Sequence, residues 1–199
     1  MRVLVGCERS GIVRDAFLAR GHKAISCDLV PSERPGPHYQ GDIRDILHAG
    51  WDLFIAHPDC TYLSSSGLHW NKRIPGRQEL SDEALRFAVQ LALTPIERIC
   101  VENPVGRFTK WARAAGFDVQ TIQPYQFGHD ASKTTCLILK NLLPLVGTDY
   151  IQPRIVGGKP RWANQTDSGQ NRLGPSATRA MDRARTYEGI ADAMARQWG

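Results

Sequence analysis

The sequence has few cysteines, and they lack the spacing of cysteine-rich sites. It contains five, an odd number, spread widely through 199 residues with no Cys-x-x-Cys pair. This pattern argues against a disulfide framework and against a structural zinc site, so we expect no metal. Four of the five lie in or beside apolar, strand-like runs, where a free cysteine usually behaves as a small hydrophobe. Cys60 is the exception, because it lies in a polar stretch that ends in glycine.

Long apolar runs are also missing. No stretch approaches the roughly 20 residues that cross a bilayer. Residues 6–9, Gly-Cys-Glu-Arg, interrupt the apolar N-terminal run in a way that is unlike a signal peptide. We therefore expect a cytoplasmic protein without a membrane partner. Hydrophobic residues make up 42% of the chain and charged residues 23%, which indicates a globular protein rather than a disordered one.

Acidic residues are scarce in the last quarter of the chain. Residues 151–199 contain eight Lys or Arg and four Asp or Glu, a net charge of +4, whereas the whole chain has a net charge of +5. This excess suits a polyanionic partner such as nucleic acid, and a solvated surface explains it equally well.

Apolar runs of strand length alternate with segments of helical periodicity. Strands are predicted at residues 2–5, 23–28, 51–56 and 98–101, with further candidates at 118–122 and 135–139. Helices are predicted at residues 11–21, with Ser10 as N-cap, at 81–93, with Ser81 as N-cap, and at 188–197. Residues 29–41, rich in Pro and Gly, are predicted to form a loop. The alternation predicts an α/β fold with a mostly parallel, doubly wound sheet.

Ionisable or nucleophilic residues follow the first four predicted strands. They are Glu8, Asp28, Cys60 and Glu102. Ligands of parallel α/β folds bind at the carboxyl ends of the strands, where these residues fall. A thiol on a polar loop is accessible for nucleophilic chemistry, and a carboxylate followed by a rigid Asn-Pro turn is a candidate acid or base. Each residue taken alone more often has a structural role.

Together these elements resemble those of the DNA cytosine-5 methyltransferases. The nucleophile loop of that family is Pro-Cys-Gln-x-Phe-Ser-x-x-Gly, and Cys60, Ser64 and Gly67 stand at its Cys, Ser and Gly spacings. Glu102-Asn103 is similar to the family's Glu-Asn-Val loop, and residues 41–43 are similar to its Gly-Asp-Ile element. The elements occur in the family's order over residues 1–104, and in detail they resemble a short, phage-type branch.

The resemblance implies a Rossmann-like methyltransferase fold, S-adenosylmethionine as cofactor and DNA as partner, in a bacterial or phage-infected cell. It implies that Cys60 attacks C6 of cytosine and makes C5 nucleophilic, while Glu102 stabilises the charge that develops at N3. Lys133 is the candidate for the cation that holds the flipped base. The residues expected to bind the cofactor are Gly6, Glu8, Ser10, Gly11, Asp28, Asp42 and Pro58.

Three parts of the chain are expected on this basis. Residues 1–144 form the catalytic domain, residues 145–180 an irregular basic insertion that replaces a target-recognition domain, and residues 181–199 a helix that returns to the catalytic domain. The residues expected to contact nucleic acid are Ser64, Lys159, Arg161, Trp162, Arg172 and Arg179. Trp162 either stacks on a nucleobase or fixes the insertion to the body of the protein.

Departures from the family pattern leave three alternatives open. Asp59 separates Pro58 from Cys60, Lys133 alone stands where the family has Arg-x-Arg, and a large target-recognition domain is missing. The small recognition region favours the same chemistry on a free pyrimidine nucleotide. A catalytically degenerate module that binds cofactor or DNA is the second alternative. The third is an amino-nitrogen DNA methyltransferase, whose Asn/Asp-Pro-Pro-Tyr/Phe loop has some likeness to residues 57–60 but which leaves Glu102 unexplained.

Overall fold

A computed structural model describes residues 1–174 and 185–199. Its centre is a seven-stranded sheet with helices on both faces. The strands are β1 (Arg2–Gly6), β2 (Lys23–Asp28), β3 (His38–Gln40), β4 (Leu53–Ala56), β5 (Arg98–Asn103), β6 (Asp118–Ile122) and β7 (Thr135–Lys140). The helices are α1 (Ile12–Ala19), α2 (Arg77–Ala92), α3 (Arg107–Ala114) and α4 (Glu188–Gln197). No helix within the two described ranges has the length and apolar character needed to cross a membrane.

The strand order is β3-β2-β1-β4-β5-β7-β6. The first five strands of the chain run parallel, and β7 runs antiparallel to both of its neighbours, β5 and β6. The order reverses between β1 and β4, the position at which doubly wound sheets open a crevice for ligands. The expected fold class, an α/β fold with a mostly parallel, doubly wound sheet, is therefore confirmed.

Side chains of the central strands alternate between two hydrophobic clusters, one on each face of the sheet. In β4, Leu53 and Ile55 pack with α1 and α4, whereas Phe54 and Ala56 pack with α2 and α3. Successive side chains of a strand point to opposite faces, so a sheet covered on both faces requires continuous apolar runs. Burial of each such Leu, Ile or Phe side chain contributes about 1.5–3 kcal/mol, which makes these runs the main stabilising element of the domain.

Several boundaries differ from the sequence predictions. The loop predicted at residues 29–41 contains the edge strand β3, whose polar sequence gives no strand signal. Helix α2 begins at Arg77 rather than after the predicted cap Ser81, which is buried inside the helix and donates to the Tyr62 carbonyl at 2.6 Å. The predicted cap of α1, Ser10, accepts a 3.4 Å hydrogen bond from the Ile12 amide, and Glu8 provides the stronger cap described below.

A buried arginine holds the loop that follows β2. The side chain of Arg14, on α1, is fully buried and lies beside the Asp15 carboxylate at 2.8 Å. Its guanidinium donates to the Ser26 and Ser32 hydroxyls, both at 3.1 Å, and to the Arg34 and Pro35 carbonyls at 3.3 and 3.0 Å. A buried guanidinium is tolerated only when its donors have partners, so this network fixes the loop over the start of α1.

The described part of the expected insertion, residues 145–174, is mostly irregular and contacts the domain built on the seven-stranded sheet. Its strands, β8 (Arg154–Val156) and β9 (Lys159–Arg161), form a short antiparallel hairpin. The Asn164 side chain exchanges hydrogen bonds of 3.0 and 2.9 Å with the Ser132 backbone amide and carbonyl. The Trp162 ring stacks on Tyr125, with centroids 4.5 Å apart. The insertion is thus held against the loop that carries Lys133.

Candidate active site

The candidate site lies at the carboxyl edge of the parallel strands. Gly6 pairs with Cys27 in β2 and with Ala56 in β4, and Ala56 pairs in turn with Val101 in β5. The residues that follow these positions therefore leave the sheet at one level. This register places the loops that carry Glu8, Asp28, Cys60 and Glu102 along a single edge of the sheet, as the sequence predicts.

The Cys60 loop is joined directly to the end of β5. The Asn103 side chain donates to the Pro58 carbonyl at 3.2 Å, and the Ser65 amide donates to the Val105 carbonyl at 2.9 Å. Gly106 lies so close to this loop that a Cβ atom there would be 1.9 Å from the Leu63 carbonyl oxygen. The absence of a side chain at Gly106 is therefore what allows the two loops to meet.

The Cys60 thiol is half-buried and surrounded by charges of both signs. Burial raises its pKa, the charges of Asp59 and Glu102 raise it further, and the charge of Lys133 lowers it. The Asp59 carboxylate is exposed and accepts hydrogen bonds from the Thr61 amide and hydroxyl at 2.9 and 2.6 Å. The thiol is therefore protonated in the free protein, and it needs a base or a bound substrate to become a nucleophile.

A histidine pairs with the carboxylate opposite Cys60. His57 Nδ1 lies 2.8 Å from Glu102 Oε2, and the two side chains are only 10% and 13% exposed. Burial opposes charge on His57, but the hydrogen bond and charge of Glu102, with Glu8 nearby, outweigh it and raise the pKa of His57. Burial likewise favours a neutral Glu102, yet the hydrogen bond from His57 and the charge of Lys133 lower the pKa of that carboxyl. Both shifts favour an imidazolium paired with a carboxylate.

Sequence reasoning gives His57 no catalytic role. The signal that could identify it is strand register: Ala56 and Val101 are paired, so His57 and Glu102, one residue further along, are neighbours. A sequence without a known pairing of β4 and β5 does not reveal this proximity.

Lys133 lies in the loop before β7, and its charge acts on both Cys60 and Glu102. Its amide donates to the Gln123 side-chain oxygen at 3.0 Å, and its ammonium donates to the Arg185 carbonyl at 3.3 Å. The structure thus brings together the three residues expected to be catalytic, Cys60, Glu102 and Lys133, although they come from three separate loops.

A cleft opens beside this cluster, over the ends of β1 and β2. It is lined by Cys7, Glu8, Arg9, Ser10, Asp28, Val30, Glu33, His57, Arg185 and Thr186. Burial and the charge of Asp28 raise the pKa of the Cys7 thiol to about 12, so Cys7 remains protonated. The cleft lies at the reversal of strand order and has a carboxylate at the end of β2, which fits a ligand with a ribose.

The residues expected to bind cofactor are not all placed alike. Ser10 lines the cleft with Glu8, but the Glu8 oxygens accept hydrogen bonds from the Val13 and Arg14 amides of α1 at 2.6 and 3.3 Å. Burial nevertheless raises the pKa of Glu8, against the lowering effect of His57 and of these amides. Asp28 also lines the cleft. Glu8 therefore fixes the start of α1 as well as the wall of the cleft.

Four other expected residues have structural environments of their own. A Cβ at Gly6 would lie 2.9 Å from the Phe54 ring, and one at Gly11, where φ is +71°, would lie 2.5 Å from the Arg14 guanidinium. The Asp42 carboxylate caps the turn after it and pairs with Arg44, whose hydrogen bonds lower the pKa of Asp42 to about 2. Pro58 is buried, with its carbonyl held by Asn103.

The residues expected to contact nucleic acid also differ in their availability. The Ser64 hydroxyl lies 3.0 Å from that of Ser66. Arg161 and Arg172 hold carbonyl oxygens of their own loop, those of Asp167 and Gln165, at 3.0 and 2.8 Å. The Lys159 side chain is exposed and has no hydrogen bond or ion pair within residues 1–174 and 185–199. Trp162 has one ring face covered by Tyr125, and Arg179 lies outside the described residues.

The described residues contain no group of His, Cys, Asp and Glu side chains arranged to hold a metal ion.

Comparisons with known proteins find solved structures of partial similarity at low sequence identity. No protein-family model matches the chain, and no curated protein matches it significantly. Among solved structures, the Entamoeba histolytica methyltransferase EhMeth is 15% identical, with a TM-score of 0.48 over 76% of this chain and 58% of that one. The S. pombe Dnmt2 methyltransferase is 18% identical, with a TM-score of 0.45 over 72% of this chain and 51% of that one. A Spodoptera frugiperda DNMT2 mutant is 14% identical, with a TM-score of 0.43 over 80% and 57%. The chain thus spans between half and three-fifths of the length of these structures.

The charge of Lys133 on the Cys60 thiol is directly testable. Lys133→Met removes a side-chain charge that lowers the pKa of Cys60, so that pKa should rise further. Alkylation of Cys60 by iodoacetamide is followed by mass spectrometry of the peptide that contains it. The variant should reach the same alkylation rate only at a higher pH than the wild type. The matched control is Lys159→Met, at the exposed Lys159 of β9, which should leave the profile unchanged. Coincident profiles for Lys133→Met and the wild type would show that Lys133 does not act on the thiol.

Proposed function

We propose that the protein transfers a methyl group from S-adenosylmethionine to C5 of cytosine in DNA, through a transient bond between Cys60 Sγ and C6 of the ring. The observation that carries this proposal is the joined pair of loops that brings a nucleophilic thiol, the Glu102 carboxylate and the Lys133 ammonium to one edge of the sheet. The resemblance of those same residues to the cytosine-5 methyltransferase motifs supports it.

Each residue of the cluster has a distinct role in the proposed reaction. C5 of cytosine is a weak nucleophile, and a thiolate bonded to C6 converts the ring into an enamine that reacts at C5. In its protonated form, Glu102 donates a hydrogen bond to N3 and stabilises the negative charge that develops there as Cys60 attacks. Lys133 favours the thiolate and offers a hydrogen bond to the ring oxygen. Because the ring atoms on which these groups act are stacked and paired inside a duplex, a base in a duplex must be flipped out to reach them.

The cleft beside the cluster is proposed to hold the cofactor. Asp28 would accept hydrogen bonds from ribose hydroxyls, and the backbone of residues 7–10 would form the facing wall. S-adenosylmethionine, when bound, supplies the electrophilic methyl group. Ser10 and Glu8 shape this wall through their contacts with the start of α1.

The raised pKa of Cys60 keeps its thiol protonated, and therefore unreactive, until substrate binds. With the thiol protonated, little thiolate is exposed to oxidants or to solvent before substrate binds. A substrate that covers Asp59 or draws Lys133 toward the thiol would favour ionisation. The rate of the first step should therefore increase with pH in the range below the thiol pKa.

A free pyrimidine nucleotide is the second candidate substrate. Two of the insertion's cations, Arg161 and Arg172, are used to hold carbonyl oxygens of their own loop, which leaves fewer charges for a phosphate backbone. A nucleotide needs only one phosphate contact, and the chemistry at Cys60 and Glu102 would be the same.

The nucleophile is tested by covalent trapping. DNA that contains 5-fluorocytosine should form a stable adduct with the wild type in the presence of S-adenosylmethionine, because fluorine at C5 cannot leave as the proton does. Cys60→Ala should form none, and the control Cys136→Ala, which changes a buried thiol of β7, should retain it. Intact-protein mass spectrometry measures the adduct. Normal methyl transfer by Cys60→Ala would contradict the proposed mechanism.

The substrate is tested by the salt dependence of binding. Duplex DNA affinity should fall with ionic strength, with a log–log slope of about −0.9 per phosphate contact. Lys159→Glu should flatten the slope by about one such contact while leaving S-adenosylmethionine affinity unchanged. The control is Lys23→Glu, at the start of β2 on the opposite edge of the sheet, which should not alter it. Weak duplex binding with a shallow slope in the wild type would favour the free nucleotide.

A further inference from the structure

We propose that His57 is a positioning residue that holds the Glu102 side chain in place. His57 also supplies the proton that the cytosine ring takes up at N3, and this proton reaches the ring through the Glu102 carboxyl group. This inference rests on the proposed function and adds a group that the cytosine-5 motifs quoted above do not contain. It follows from the buried contact of His57 with Glu102 and from the place of His57 between the nucleophile cluster and the cleft.

The geometry of the pair leaves one carboxylate oxygen for substrate. His57 Nδ1 lies 2.8 Å from Glu102 Oε2. Within residues 1–174 and 185–199, no hydrogen bond is found to the other oxygen of Glu102, Oε1. Oε1 is therefore the oxygen that remains for the ring, and the carboxyl group can donate to N3 only once it carries a proton. The contact with His57 therefore fixes the direction in which Glu102 meets N3.

The proton count requires a donor other than Glu102. N3 of neutral cytosine has a lone pair and no hydrogen, and it must gain a proton, or a strong hydrogen bond, as sulfur bonds to C6. Glu102 is held as a carboxylate and has no proton to give. His57 Nδ1–H, in direct contact with it, is the nearest source. The histidine thus resolves a conflict between the charge state of Glu102 and its proposed role.

The charges around His57 favour the protonated ring. Glu102 on β5 and Glu8 after β1 both stabilise the imidazolium, and Lys133 before β7 opposes it. His57 Nε2 is buried and has no hydrogen-bond partner in the described part of the chain. The imidazolium is therefore held at Nδ1 by its hydrogen bond to Glu102 and by the negative charges around it.

The proposed step is balanced in protons and electrons. The Cys60 thiolate forms the S–C6 bond, and the electron pair of the ring double bond moves toward C5 and N3. The proton of His57 Nδ1 passes to Glu102, and the neutral carboxyl group, turned so that its O–H faces the ring, gives that proton to N3. This leaves neutral imidazole and a carboxylate, while the proton of the Cys60 thiol passes to water. When the C5 proton has passed to water and the S–C6 bond has broken, N3 returns its proton along the same path. His57 is then an imidazolium again.

The test compares two variants by the pH dependence of turnover. His57→Asn keeps an N–H donor near the position of Nδ1 but cannot titrate, whereas His57→Leu removes both. The raised pKa of His57 means that the imidazolium is present below that pKa and is lost as pH rises through it. Because the reaction also needs the Cys60 thiolate, wild-type kcat should rise with pH, level off as the imidazolium is lost and fall above the thiol pKa. His57→Asn should lack this alkaline limb and lower kcat roughly 100-fold, with KM for DNA unchanged.

Controls separate a proton-supplying role from a purely structural one. His48→Asn, at an exposed histidine on the opposite edge of the sheet, should behave as the wild type. Near-normal kcat in His57→Asn, with the alkaline limb retained, would overturn the proposal. If His57→Leu fails to fold, the Asn variant still decides.

A measurement on the free protein keeps this inference distinct from the proposed function. Titration of the His57 ring by ¹⁵N NMR should give a pKa above that of an ordinary histidine, and Glu102→Gln should lower it. An unshifted His57 would overturn the pairing whether or not the protein methylates DNA. A shifted His57 in a protein that transfers no methyl group to cytosine would instead overturn the proposed function.

Discussion

The parallel pairing of β4 with β5 is the constraint on which the candidate site depends. It sets Ala56 beside Val101, and the chain then brings His57 against Glu102 and the Cys60 loop against residues 103–107. The Asn103–Pro58 hydrogen bond and the bare backbone of Gly106 hold the loops at this distance. A shift of one residue in this register would separate the thiol from the carboxylate, because successive strand residues point to opposite faces.

The second feature common to the site is that each buried carboxylate has a hydrogen-bond partner or a nearby positive charge. A buried carboxylate is costly unless it is paired or hydrogen-bonded. Glu8 meets this requirement through α1 amides, and Glu102 meets it through His57. Lys133 adds a positive charge from the opposite side. Strongly shifted pKa values clustered in this way are frequent at catalytic sites, and here they give the thiol, the imidazole and the carboxyl distinct protonation states.

The sequence is informative where local physics decides the structure. The central strands are predicted closely because a sheet covered on both faces needs unbroken apolar runs, and Glu8, Asp28, Cys60 and Glu102 are predicted to share an edge because parallel strands end together. The edge strand β3 and helix α3 give weak local signals and depend on packing. The His57–Glu102 contact spans 45 positions in sequence, and only the register of two strands reveals it. Arg161 binds a carbonyl oxygen of its own loop, whereas the Lys159 side chain has no hydrogen bond in the described residues, and this difference likewise depends on how the insertion folds.

Methyl transfer to defined substrates tests the central claim most directly. The protein is incubated with methyl-labelled S-adenosylmethionine and, in parallel, duplex DNA, single-stranded DNA, RNA and dCMP, and the labelled nucleosides are identified after digestion. The account predicts label in 5-methylcytosine, most of it from DNA. Label on an amino nitrogen of cytosine or adenine, or no transfer by protein that binds the cofactor, would contradict it.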